Sequence, residues 1–154
     1  MTSIDLQLAA DKFAVIDTLH RFAAGIDLRD PALLASAFSR NAVSDLRPAA
    51  AKAGFEYPVL EGRDSIVATL SAALSQLDTT HSVSNARVTL DGDNARLDAL
   101  VEAQHVPQGD PSRHYLMKNR YDVELVREDD VWLIRRVTVD NVWRSGDLAV
   151  LAGI

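Results

Sequence analysis

The side chains of this chain best suited to proton transfer are two histidines and one aspartate. His81 lies between a helix-like apolar segment and a strand-rich second half, and a neutral imidazole accepts a proton near pH 7. Asp27 ends the first helix-like segment. If the fold brings Asp27 to His81, its carboxylate would orient the imidazole and stabilise its protonated form. His105 is in phase with the apolar face of a later strand, so it is predicted to point the same way.

Each of these residues also has an ordinary structural interpretation. His81 could be a strand histidine bonded to a backbone carbonyl, and His105 could simply end a strand before Pro107. Asp27 could be solvated by water, with Arg29 as a competing partner. A carboxylate is disfavoured at the C-terminus of a helix unless it is paired, which favours the encounter with His81. Sequence spacing alone leaves these alternatives open.

Aromatic and amide side chains are the candidates for the walls of a binding site. The phenols of Tyr57, Tyr115 and Tyr121 could each supply a hydrogen-bond donor. Asn141 and Trp143 lie two positions apart on the last predicted strand and could both line a cavity. A packed Trp is the commoner explanation for Trp143.

Two helices are predicted at the start of the chain. The apolar residues within 4–25 recur at helical spacing and form a wide face, which predicts a helix packed against a sheet. Asp30 and Pro31 form a typical helix start, with Asp as the N-cap and Pro at the first helical position. This second helix is predicted to end near Phe38.

A third helix is predicted after a segment that contains prolines and glycines. Residues 41–60 predict a short strand, a loop and another short strand, and residues 49–54 at their centre are predicted to be a mobile lid or entrance loop. Glu61-Gly62-Arg63 then begins a helix that is predicted to end near Leu77.

The second half of the chain predicts strands. Asp91-Gly92-Asp93 is a strong hairpin signal, and apolar residues alternate on both sides of it. Helices followed by antiparallel strands predict an α+β fold, in which a strongly curved sheet and a helix at its open end enclose a pocket. The predicted strands cover residues 83–90, 94–106, 114–127 and 131–143, and a short tail covers residues 144–154.

Length and composition narrow the function classes. The 154 residues fit a single domain over 1–154, and the net charge of −6 argues against general nucleic-acid binding. No apolar run reaches the length of a membrane span, and the N-terminus does not resemble a signal peptide. The absence of cysteine excludes disulfides and thiol nucleophiles and is compatible with the cytoplasm. We also find no zinc-ligand spacing, phosphate loop or nucleophile elbow, so neither a metal nor another cofactor is predicted.

Seven short segments together resemble one superfamily over nearly the whole chain. In their order and spacing they resemble the SnoaL-like branch of the nuclear-transport-factor-2-like superfamily. The segments are Arg21-Phe22-Ala23-Ala24-Gly25-Ile26-Asp27-Leu28-Arg29-Asp30, residues 38–45, Glu61-Gly62-Arg63, Thr80-His81-Ser82-Val83-Ser84-Asn85, Asp91-Gly92-Asp93-Asn94-Ala95, Tyr121-Asp122-Val123-Glu124-Leu125 and Trp132-Leu133-Ile134.

This resemblance implies a conical α+β barrel with about three helices and an Asp–His dyad inside it. Asp27 and His81 match the dyad by position, and His105 resembles a second histidine that assists the leaving group. Five residues before the dyad aspartate, relatives carry a Tyr or Lys that contacts the leaving group, whereas this chain has Phe22. The enzymes of this branch that the chain most resembles are cofactor-free lyases, whereas the superfamily also contains isomerases, epoxide hydrolases and non-catalytic members.

The expected activity is therefore a cofactor-independent elimination on a small, largely apolar cyclic or aromatic molecule. His81, Asp27 and His105 are the expected catalytic residues. Two alternatives are an isomerase that uses the same base and a binding or assembly module without chemistry. Relatives assemble through the outer sheet face, so a homodimer or homotrimer is expected. The expected substrate contacts are Phe22, Tyr57, Tyr121, Asn141 and Trp143.

Overall fold

The molecule consists of one six-stranded sheet with helices packed against it. The computed structural model describes residues 1–152. In chain order its elements are α1 (Ser3–Asp27), α2 (Pro31–Ser36), β1 (Phe38–Asp45), α3 (Arg47–Ala53), β2 (Leu60–Glu61), α4 (Arg63–Ala73), β3 (Leu77–Asp91), β4 (Asn94–Pro107), β5 (Tyr115–Glu128), β6 (Val131–Gly146) and a final 3-10 turn (Leu148–Leu151).

The sheet has the order β2-β1-β6-β5-β4-β3. Its neighbouring strands are antiparallel, except that β1 and β6 are parallel. β4 and β5 bury alternate side chains, as expected for strands with one face on a core. Register shifts in the β1–β6, β3–β4 and β5–β6 pairs mark irregularities of the kind that bend strands. The α+β prediction with a strongly curved, mostly antiparallel sheet is confirmed.

Helix α1 crosses the concave side of the sheet and ends beside β3. It begins with a capping box between Thr2 and Asp5. Its second half buries an apolar face, whereas Phe13 in its first half is 73% exposed and does not join the core. A Cβ at Gly25 would lie 2.5 Å from the backbone nitrogen of Leu34. Glycine therefore lets α2 pack directly against the last turn of α1, just before Asp27.

The predicted loop over residues 49–54 is wrong, because α3 occupies this segment. Its alanines favour helix, and Ala49, Ala50 and Ala53 are buried where the helix packs against β6. Gly54 ends the helix in the left-handed conformation, with φ of 91°. The irregular part of this connection is residues 54–59, directly after the predicted lid.

Two predicted helix ends are also too late. α2 ends at Ser36, so Phe38 belongs to β1, and α4 ends at Ala73 instead of near Leu77. β3 starts at Leu77, opposite Pro107 of β4, six residues before the predicted start. His81 consequently lies inside a strand, and its backbone is fixed by the sheet. None of the helices within residues 1–152 has both the length and the apolarity needed to cross a membrane.

Candidate active site

A largely apolar cavity of about 90 Å³ lies between the helices and the concave face of the sheet. Its apolar lining comes from the second half of α1, the end of α4, the middle of β5 and β6, and Leu151 of the final turn. The polar side chains that reach it are those of Ser44, Tyr57, His81, His105, Asn119 and Tyr121.

Asp27 and His81 meet at the wall of this cavity. Asp27 Oδ1 lies 2.6 Å from His81 Nδ1, and Asp27 Oδ2 accepts a 2.7 Å hydrogen bond from the His81 backbone. Thr79 Oγ1 donates a third hydrogen bond to Asp27 at 3.0 Å. An ionised carboxylate can only accept, so Nδ1 of His81 carries a hydrogen, and in the neutral imidazole Nε2 is the nitrogen with the lone pair. Arg29 is not the competing partner, because it bonds Asp78 and the carbonyl of Leu77.

The surroundings of Asp27 favour its ionised form. Partial burial raises its pKa, but the hydrogen bonds and charge of His81 and the hydrogen bond of Thr79 outweigh this effect, so the pKa lies below its ordinary value. The side chain of His81 is 5% exposed and that of Asp27 is 22% exposed. The pair is therefore nearly dry on the imidazole side and open to some water on the carboxylate side.

His105 lies beside His81, with ring centroids 6.1 Å apart and ring planes at 83°. Its Nδ1 is 3.0 Å from the backbone oxygen of Tyr115. Burial lowers the pKa of His105 to about 4 and positive charge on His81 adds to this, against smaller opposing effects of the Tyr115 hydrogen bond and Asp27. His105 is therefore a neutral imidazole at pH 7.

The phenols of the site differ in their surroundings. Tyr57 has a buried hydroxyl with no hydrogen-bond partner among the described residues, and burial raises its pKa. Burial and the charge of Asp27 also raise the pKa of Tyr121. Both phenols are consequently un-ionised donors.

Phe22 lines the cavity at the position where relatives were expected to carry a donor. Its ring stands edge-on to His81 at 6.5 Å and to Tyr121 at 6.0 Å between centroids. It therefore supplies an apolar surface beside the histidine and no hydrogen bond.

The two predicted contacts on β6 do not line the cavity. Asn141 is buried but does not line the cavity, and its side-chain amide donates a 3.0 Å hydrogen bond to Asn119 Oδ1. Trp143 lies on the outer face of the sheet and is 47% exposed, and the centroid of its ring is 5.2 Å from Lys118 Nζ. A β-bulge explains the error at Trp143, since Val142 has no partner on β5 and the two-residue alternation after Asn141 is shifted by one.

Most of the residues that line the cavity were absent from the sequence prediction, among them Met117, Asn119 and Leu151. Met117 and Asn119 alternate with Tyr121 on the inner face of β5, so their phase relative to Tyr121 would have revealed them. Leu151 reaches the cavity from the 3-10 turn, which was predicted only as a tail and gave no usable pattern.

Phe55 and Tyr57 form a wall between the cavity and a second depression. Both residues line the inner cavity, and both also line a wider depression together with Arg47, Ala51, Glu56 and Pro58. Their rings pack edge to face with centroids 6.5 Å apart. Within residues 1–152 no group of three or more histidines and carboxylates is placed to hold a metal ion.

The molecule thus belongs to the class of α+β proteins in which a curved sheet and helices surround an apolar cavity. In this chain the cavity contains a histidine that is paired with a carboxylate. The chain belongs to the SnoaL-like domain family, whose pattern matches residues 7–138. The predicted family and fold are thus confirmed.

Similar proteins are known by sequence and by structure. The chain is 30% identical over 148 residues to terrestric acid biosynthesis cluster protein E of Penicillium crustosum, which covers 92% of this chain and 89% of that protein. A candidate scytalone dehydratase from Novosphingobium aromaticivorans superimposes with a TM-score of 0.79 at 18% identity, over 94% of this chain and 91% of that one. A hexachlorocyclohexane dehydrochlorinase from Novosphingobium barchaimii gives 0.77 at 19% identity, over 94% of each chain. At these identities the structural likeness shows the fold.

Proposed function

We propose that the protein is a cofactor-independent lyase that eliminates water, or a comparable small group, from a small and largely apolar cyclic or aromatic molecule. The observation that carries this proposal is the contact between His81 Nδ1 and Asp27 Oδ1, which leaves Nε2 as the nitrogen that can accept a proton. Asp27 holds the opposite nitrogen at 2.6 Å, and the site lies in an apolar cavity.

In the proposed reaction His81 acts as the general base. Nε2 takes a proton from a carbon acidified by a neighbouring carbonyl or ring. The electron pair of that C–H bond forms a double bond as the bond to the leaving hydroxyl breaks. The departing hydroxide takes the proton from the imidazolium, so water leaves and His81 is reset. Asp27 stabilises the imidazolium between these two steps.

General-base catalysis typically increases the rate of a reaction by about 10²–10⁴-fold. Orientation of the substrate and exclusion of water must supply the remainder of the rate enhancement. The hydroxyl of Tyr57 is a candidate donor for the proton abstraction step, because it has no hydrogen-bond partner among the described residues. It is available to donate to a carbonyl oxygen on which negative charge develops.

An isomerase that uses the same base is the second candidate. Nδ1 of His81 is already bonded to Asp27, so a proton taken by Nε2 is most directly returned to the bound molecule. Return to another carbon gives an isomer, whereas return to a leaving hydroxide gives water. The two candidates differ in whether the product has lost water.

The test uses 3-hydroxycyclohexanone, a small ring with an acidic C–H between a carbonyl and a hydroxyl-bearing carbon. Elimination gives the conjugated ketone 2-cyclohexenone, which is followed by its ultraviolet absorbance. We expect His81→Ala to lower kcat/KM by about 10²–10⁴-fold. His20→Ala, which removes an exposed histidine of α1, is the matched control and should change nothing. Equal rates for the wild type and His81→Ala would refute the proposed base, and ligand binding without turnover would favour a binding module.

A further inference from the structure

The second histidine of the cavity has its hydrogen-bonding state fixed by the backbone. Nδ1 of His105 faces the carbonyl oxygen of Tyr115 at 3.0 Å, and a carbonyl can only accept a hydrogen bond. Nδ1 must therefore carry the ring hydrogen, and Nε2 carries a lone pair. Nε2 has no partner among residues 1–152, while the ring lines the cavity. His105 therefore presents an acceptor, and no donor, to a bound molecule.

We propose that Nε2 of His105 accepts a hydrogen bond from a hydroxyl group that the substrate keeps through the reaction. The substrate is then a hydroxylated ring, such as a phenol or an enol, and His105 is the residue that selects it. This inference rests on the proposed function for the reaction, but it concerns a group that takes no part in the proton transfer to His81.

A role as the acid that protonates the leaving group does not fit this arrangement. A neutral ring with its only N–H bonded to Tyr115 has no proton to give. Burial to 6% exposure and the nearby His81 keep the pKa of His105 near 4. An acceptor that bonded the leaving hydroxyl would also increase the electron density on that oxygen and delay its departure. On a phenol or enol that stays, the same bond pushes electrons into the ring and assists expulsion of another group.

The other polar groups of the cavity suit this acceptor role less well, because the hydroxyls of Ser44, Tyr57 and Tyr121 can donate as well as accept. Nε2 of His81 is the proposed base, and Oδ1 of Asn119 already accepts from Asn141. Tyr57 offers a hydroxyl that can donate. An ether or carbonyl oxygen of a ligand has lone pairs and no hydrogen, so placing it beside Nε2 of His105 would bring two lone pairs together, which is repulsive. An O–H group there is attractive, so the site distinguishes the two.

Two unreactive rings of nearly equal shape, phenol and toluene, test the inference by binding alone. Their dissociation constants are measured by NMR titration, and the ratio of the toluene value to the phenol value is compared between variants. His105→Asn can retain a donor near the Tyr115 carbonyl but has no acceptor at the Nε2 position. We expect it to lower the ratio about 3- to 10-fold, the usual range for one hydrogen bond. His105→Gln places an amide oxygen near Nε2 and should keep the ratio closer to that of the wild type.

His81→Ala is the control for a hydroxyl that binds the base instead, and it should leave the ratio unchanged. An unchanged ratio in His105→Asn, or a ratio that falls only in His81→Ala, would overturn the inference. ¹⁵N NMR of histidine-labelled protein adds a measurement without ligand. We expect the His105 signals of a hydrogen on Nδ1 and none on Nε2 at pH 7, and the opposite tautomer would also overturn it. Neither ring reacts, so these results are independent of whether His81→Ala abolishes elimination.

Discussion

The cavity holds two histidines that are alike in burial and opposite in chemical environment. Their ring centroids are 6.1 Å apart, both rings line the cavity, and each is bonded through Nδ1. His81 is bonded to the carboxylate of Asp27, whereas His105 is bonded to the neutral carbonyl of Tyr115. A carboxylate stabilises an imidazolium, and a carbonyl in an apolar wall does so only weakly. The group behind the ring therefore decides which histidine can take up a proton.

The largest expected effect comes from making the two histidines alike. Asp27→Asn replaces the charged partner of His81 with a neutral one, as at His105. We expect kcat for elimination from 3-hydroxycyclohexanone to fall by about 10²–10⁴-fold, since the imidazolium loses its counter-charge. Asp64→Asn is the matched control, because the Asp64 side chain is 98% exposed. Activity within a few-fold of wild type in Asp27→Asn would show that the carboxylate is not what distinguishes His81.

A second prediction concerns the pH dependence of stability that His105 confers. Its pKa falls from an ordinary 6.5 to about 4 on folding, so the unfolded chain binds a proton at a higher pH than the native protein. Its contribution is complete above about pH 6.5 and is lost as the pH falls towards 4. About 3 kcal/mol of unfolding free energy should disappear in this window.

Urea unfolding at a series of pH values checks this expectation against His105→Gln, which cannot titrate. The variant should show a shallower slope between pH 6.5 and 4, because the part due to His105 is missing, and it should keep the slope at lower pH. Identical slopes in the two proteins would mean that folding does not lower the pKa of His105.

The third prediction places the contribution of Asp27 in a different pH window. Its native pKa lies below the ordinary 3.8, so its stabilisation is present above that value and is lost as the pH falls through the native pKa. Asp27→Asn also disrupts the hydrogen bonds from His81 and Thr79, which should reduce the unfolding free energy by about 1–3 kcal/mol at pH 7. The same urea series should show a flatter profile below pH 4 in Asp27→Asn, and an unaltered profile there would contradict the role of this carboxylate.

The smallest effect is expected at Tyr57. Its hydroxyl, like Nε2 of His105, has no hydrogen-bond partner among the described residues. Removal of a buried hydroxyl without a partner should leave the unfolding free energy unchanged or raise it by up to about 1 kcal/mol. Tyr57→Phe should nevertheless lower kcat/KM about 3- to 10-fold, because the donor for the substrate oxygen is lost. A clear loss of stability in thermal melts would instead indicate that the hydroxyl has a structural partner.

Sequence reasoning predicted much of this arrangement where local pattern and family resemblance agreed. The strand alternation and hairpin signals predicted the sheet, and the meeting of Asp27 with His81 was proposed although the two are 54 positions apart. The state of His105 was beyond the sequence, because it depends on burial and on a carbonyl across the β4–β5 pair. Neither has a local signature.

The errors occurred where one residue or one segment departs from a regular pattern. A single bulge at Val142 moves Trp143 to the outer face, and alternation has no means of predicting an extra residue. The alanines of α3 stand between a proline and a glycine, which suggested a loop although alanine favours helix. The expected homodimer or homotrimer concerns other copies of the chain and remains a prediction.

Phe55 and Tyr57 belong both to the inner cavity and to the outer depression, and one short irregular segment, residues 54–59, carries the two rings. A substitution of either ring therefore alters the surface that a bound molecule contacts inside and the outer surface together. The two depressions are not independent at these positions, so every variant of Phe55 or Tyr57 reports on both.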